Sequence, residues 1–181
     1  DIGTTQKDIN IVSYAGVITT NQISDYGIDV INNEGTKSSK LQISSEAKNI
    51  AIKKKIINNK DNKISNVKIL GILPTKEATA SNNIDIQVGN ISVSGVDSSR
   101  VKIYYTNNAN ATEDIEDTSN GWIEKFENVE NVKKYLVVID ELNILEEVNI
   151  EYQANIPANL EYNEGAEEGY NVYYNDSVTS V

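Results

Sequence analysis

The chain has 181 residues, a formal net charge of -11, and no Cys, His or Met. That length holds one domain of about 100–150 residues with an extra segment, or two small domains. The acidic balance argues against a phosphate-neutralising nucleic-acid surface and against anionic membranes, and the missing Cys and His exclude disulfides, thiolate or imidazole metal sites and the Ser-His-Asp triad.

In chain order the pattern is strand-like almost throughout. INIVSYAG (9–16) is rich in β-formers, and YGIDVI (26–31) sets Tyr26, Ile28 and Val30 against Gly27 and Asp29. NNEG (32–35) is a turn signal, and KLQIS (40–44) alternates through Leu41 and Ile43. In NIAIKKKIINN (49–59), Ile50, Ile52, Lys54 and Ile56 share one face. Further strands are expected at ISNVKILGILP (64–74), NIDIQVGNISVSGV (83–96) and RVKIYYTNN (100–108). VKKYLVVID (132–140) is apolar at both parities, which predicts a central strand covered on both faces. VNIEYQANIP (148–157) alternates through Val148, Ile150, Tyr152, Ala154 and Ile156, and GYNVYYND (169–176) through Tyr170, Val172 and Tyr174. No stretch keeps the i, i+3, i+4 pattern of a long helix, and only a short one is expected near ENVENV (127–132). No apolar run approaches the length of a membrane helix.

Short alternating strands with frequent turn signals predict an all-β fold, an Ig-like antiparallel β-sandwich over residues 46–181. A β-hairpin-rich N-terminal segment, residues 1–45, precedes it and either joins the sandwich or ends a preceding domain. The start at Asp1 reads as a mature product or a fragment of a longer protein, and the abundance of Asn, Ile and Lys fits an AT-rich bacterial genome.

Residues 107–122, NNANATEDIEDTSNGW, hold the main candidate site. Asp114, Glu116, Asp117 and Asn120, with Glu113, Asn107 and Asn110 nearby, offer oxygen ligands suited to a structural Ca²⁺. The spacing is not that of an EF-hand, and the plain alternative is a solvated strand connection. Glu164, Glu167 and Glu168 in EYNEGAEEGY (161–170) complete such a site only if the fold brings both loops to one end. Trp122 reads as a core or sheet-edge aromatic. Lys54 points where the apolar side chains point, and a buried Lys is neutral, paired or reactive. A carboxylate pair for glycoside hydrolysis has no supporting motif. No catalytic residue is assigned, and no cofactor beyond the calcium.

IINNKDNKISNVKILGILPT, VKIYYTNNANATEDIEDTSNGWIEKFENVENVKKYLVVID and VNIEYQANIPANLEYNEGAEEGYNVYYND occur in that order. Together, over about residues 48–176, they resemble a DUF11-like conserved-repeat, Ig-like domain of Gram-positive bacterial cell-surface, adhesin-like proteins. The resemblance implies a non-catalytic structural or adhesive module, extracellular and cell-wall-attached within a large parent protein. Its implied partners are neighbouring repeat domains and a host or cell-surface ligand, with no nucleic acid and no membrane. A calcium- or carbohydrate-binding β-sandwich module is the alternative. The resemblance also suggests a self-formed Lys–Asn isopeptide cross-link at Lys54, with an Asn of the final strand and an acid such as Glu151. Strand parity turns Asn171, Asn175 and Glu151 away from the apolar face, so without a bulge these groups do not meet.

Overall fold

A computed structural model describes residues 17–25, 28–30, 47–161 and 163–176. It is all-β, built from ten strands among the described residues: β1 (Val17–Asp25), β2 (Ile28–Val30), β3 (Lys48–Asn58), β4 (Ile64–Ile72), β5 (Gln87–Val88), β6 (Ser92–Ser94), β7 (Val101–Thr106), β8 (Lys134–Leu142), β9 (Glu147–Ile156) and β10 (Gly169–Asp176). One sheet runs β2-β1-β3-β9-β5, with β6 also on β9; the other runs β10-β4-β8-β7. Every pairing is antiparallel. Among the described residues no helix is long and apolar enough to cross a membrane.

The alternation read from the sequence writes this sandwich directly. On β9, Val148, Ile150, Tyr152, Ala154 and Ile156 are buried, while Glu151, Gln153 and Asn155 face solvent. They pair across the sheet with Ile56, Lys54, Ile52, Ile50 and Lys48 of β3. Val67, Ile69, Tyr135, Val137 and Ile139 of the second sheet close on them to form one core. Each buried aliphatic side chain contributes about 1.5–3 kcal/mol relative to exposure.

Three expectations meet a different structure. Residues 83–96 form two short strands instead of one, because after Gly89 pairs with the Gln153 carbonyl (2.9 Å) Ile91 turns into the core. There its amide donates to the Tyr105 hydroxyl at 3.2 Å. The helix expected near 127–132 is a single 3-10 turn, Phe126–Asn128. VITTNQISD, not marked as a strand by alternation, forms β1 and pairs with β3 from Val17↔Asn58 to Asp25↔Ile50. The strands expected at 9–16 and 40–44 lie outside the described residues.

The central sheet strand expected at 132–140 is β8, between β4 and β7. Tyr135, Val137 and Ile139 face the core, yet Leu136 on the opposite face is fully buried too. Gly71 of β4 sits opposite Tyr135. A Cβ added there would come within 1.9 Å of the tyrosine ring, so only glycine lets the ring lie across the strand.

Candidate functional site: a buried Lys–Glu pair and an acidic strap

Lys54 continues the inward row Ile50, Ile52, Ile56 and is 1% exposed. Its ammonium meets the carboxylate of Glu168, the residue just before β10. The two are 114 residues apart in sequence and belong to opposite sheets, so the pair ties β3 to the entry of β10. Tyr152, beside Lys54 on β9, has its hydroxyl 3.5 Å from Glu168 Oε2. The Lys54 nitrogen also lies 4.7 Å from the centre of the Tyr170 ring, within cation–π range. Tyr135 meets Tyr152 edge-on, ring centres 6.1 Å apart.

The electrostatics follow from enclosure. Burial pushes the Lys54 amine below its ordinary range, and the charge and hydrogen bond of Glu168 pull it back up. Burial, then the negative field of Glu168, raises the Tyr135 and Tyr152 hydroxyls well above theirs. The side chains of the pair are 0% and 3% exposed, which leaves no opening for a substrate to reach the amine.

Glu168 is placed by its neighbours. Asn82 receives the Glu167 amide (2.7 Å) and donates to the Glu167 carbonyl (3.1 Å). Asn83 binds the Gly165 amide (2.8 Å) and the Asn163 carbonyl (2.8 Å). These two asparagines fasten the chain before β10 and set the register that turns Glu168 inward. Sequence reasoning missed this role. A signal was present, since Glu168 shares parity with Tyr170, Val172 and Tyr174.

The other groups weighed for a cross-link are elsewhere. Asn171, Asn175 and Glu151 are exposed. β10 does carry a register shift between Tyr173 and Asn175, but the buried acid beside Lys54 is Glu168.

The acidic stretch 107–122 forms a strap associated with the outer face of the β10-β4-β8-β7 sheet. Ile115 and Glu116 share a groove with Tyr104 and Val138, and Glu113 shares another with Lys68 and Tyr173. Lys134 donates to the Ala111 carbonyl (2.8 Å), and buried Ala111 joins Leu70 and Leu136 as buried apolar residues outside the main core. This covering accounts for the two-faced apolar pattern of β8.

Asn120 is the hub of the strap. It is buried; its side-chain oxygen receives the Thr112 amide (2.9 Å), and its Nδ2 donates to Thr112 Oγ1 (3.0 Å) and the Asp114 carbonyl (2.7 Å). Asp114 accepts from the Glu116 amide (3.0 Å), and Asp117 caps a 3-10 turn by accepting from Ser119 N (2.9 Å). The Ser119 bonds hold the Asp117 carboxyl below its usual range. Trp122 donates to the Thr112 carbonyl (3.1 Å) and closes the loop. Glu164 accepts from the Glu161 amide (2.7 Å), Glu167 is exposed, and Glu168 is in the core. Among the described residues no three acidic side chains converge as metal ligands do.

No protein-family model matches the chain. No curated protein matches it. Among solved structures it is similar to "The unique CBM- of Ruminiclostridium thermocellum", at 18% identity over 77% of this chain and 72% of that one, TM-score 0.30. It is similar to "The unique CBM3- of Hungateiclostridium clariflavum", at 14% over 83% and 78%, TM-score 0.30. It is also similar to the CBM3a-L domain with flanking linkers from the scaffoldin cipA of the Clostridium thermocellum cellulosome, at 12% over 86% and 84%, TM-score 0.34.

Proposed function

We propose that the chain is a non-catalytic structural and adhesive module of a large bacterial cell-surface protein, displayed outside the cell beside neighbouring repeat domains. The observation that carries this reading is the Lys54–Glu168 tie. A buried ion pair adds little net stability over an apolar replacement, so its value lies in geometry. Here it fixes the entry of an edge strand, β10, to β3 of the opposite sheet. That is useful to a module that must keep its sheets together while its ends are pulled. Enclosure of the pair favours this role over chemistry on a substrate.

Pulling the full chain between reference domains tests the reading. Lys54→Met is expected to unfold at lower force than the parent chain, and a surface control, Lys53→Met, at the same force. Equal unfolding forces for Lys54→Met and the parent chain would remove the mechanical basis of the proposal.

A further inference from the structure

At the edge of the outer face, the β10–β4 ladder skips a step, with Tyr173↔Lys68 followed by Asn175↔Ser65. Asn66 takes up the extra residue in the left-handed region, φ 49°. A bulge of this kind bends the strand that carries it, here β4 beside the edge strand β10, and re-aims the side chains around it. A groove of about 430 Å³ lies there, within the size range of small-molecule sites. Tyr173 is 38% exposed, and Asn66, Lys68, Asn175 and Glu113 of the strap line the groove with it. Among the described residues none of those four polar side chains makes a hydrogen bond or ion pair.

We infer that this groove binds a neutral hexose oligosaccharide, a reading that rests on the adhesive role above and gives it a ligand class. A pyranose has an apolar C–H face that covers a tyrosine ring, and a rim of hydroxyls that donate and accept. The groove supplies that complement: one exposed ring, Tyr173, beside the half-buried Tyr174, two amides that do both, one ammonium donor and one carboxylate acceptor. Its two formal charges cancel, so the groove has no net charge to select an anionic or cationic ligand, and an uncharged polyol is the fitting class.

The test is titration of the full chain with cellohexaose, mannohexaose and maltohexaose, followed by amide chemical shifts and calorimetry. At least one sugar is expected to shift amides at 66–68 and 171–175. Tyr173→Ala should weaken it by about tenfold or more at an unchanged melting temperature, and Asn175→Ala should weaken it less. Tyr104→Ala, on the other side of the strap, should leave it intact. No shift with any of the three at millimolar concentration would overturn the inference, as would binding undiminished in Tyr173→Ala. Either failure leaves the force measurement free to stand.

Discussion

Replacing Lys54 with Met strips Glu168 of its buried ammonium partner, and Glu168→Gln strips Lys54 of its carboxylate. Breaking a buried pair from one side costs about 3–5 kcal/mol, because the remaining charge is left desolvated. In a chain of this size each kcal/mol moves the midpoint by about 2–4 °C, so each single variant should melt about 6–20 °C lower. Removing both charges together removes that penalty. What remains is an imperfectly satisfied Gln amide, about 1–3 kcal/mol, with Tyr152 still offered an acceptor. The double variant should therefore be at least as stable as the worse single, with a coupling of about 2 kcal/mol or more. Urea titrations of the four proteins measure it, and an intact mass showing no loss of ammonia or water checks that the pair is non-covalent. Singles within about 0.5 kcal/mol of the parent, or a double equal to their sum within that margin, would refute the reasoning.

Gly71→Ala should cost about 1–3 kcal/mol by driving a methyl into the Tyr135 ring, measurable as a lower urea midpoint at unchanged slope. Its recovery by Tyr135→Leu would locate the clash. Glu146 is held below its ordinary 4.5, first by its hydrogen bond to Arg100. A carboxylate with a depressed folded value stabilises the fold above its unfolded value and loses that contribution as pH falls through the folded one. Urea midpoints below about pH 4.5 should therefore fall less steeply in Arg100→Gln than in the parent chain. Millimolar Ca²⁺ should leave the melting midpoint where EDTA leaves it, since Asp114 and Asp117 already staple the strap and Glu113 and Glu116 line separate grooves. A ligand binding only the folded state must raise that midpoint.

The core strands were legible because a half-buried antiparallel strand records its burial at a period of two residues. Ile50 to Ile56 and Val148 to Ile156 carry that record without interruption. Lys54 stood out as the one charge on such a face. Its partner did not, because the pairing spans 114 residues and depends on how the two sheets stack, which periodicity does not encode. Extending the Tyr170–Tyr174 alternation back by two residues would have placed Glu168 inward. β1 was missed because its polar composition gives no alternating apolar signal, and its place is given by hydrogen bonding to β3. The acidic loop was legible as a connection, and Trp122 as a core or sheet-edge aromatic, but not the bond to Thr112 by which Trp122 closes the loop. The strap's position on the outer face beside β8 was visible only indirectly, in the second apolar parity of that strand.

Native-state hydrogen exchange comparing Glu168→Gln with the parent chain tests the central claim most directly, that the buried pair fastens β10 to the opposite sheet. The amides of β10 bonded to β4 should exchange about a hundredfold faster or more in the variant, and at a lower opening free energy than those at the centre of the β3–β9 ladder. Unchanged β10 protection, or an equal loss in β10 and in the β3–β9 ladder, would contradict it.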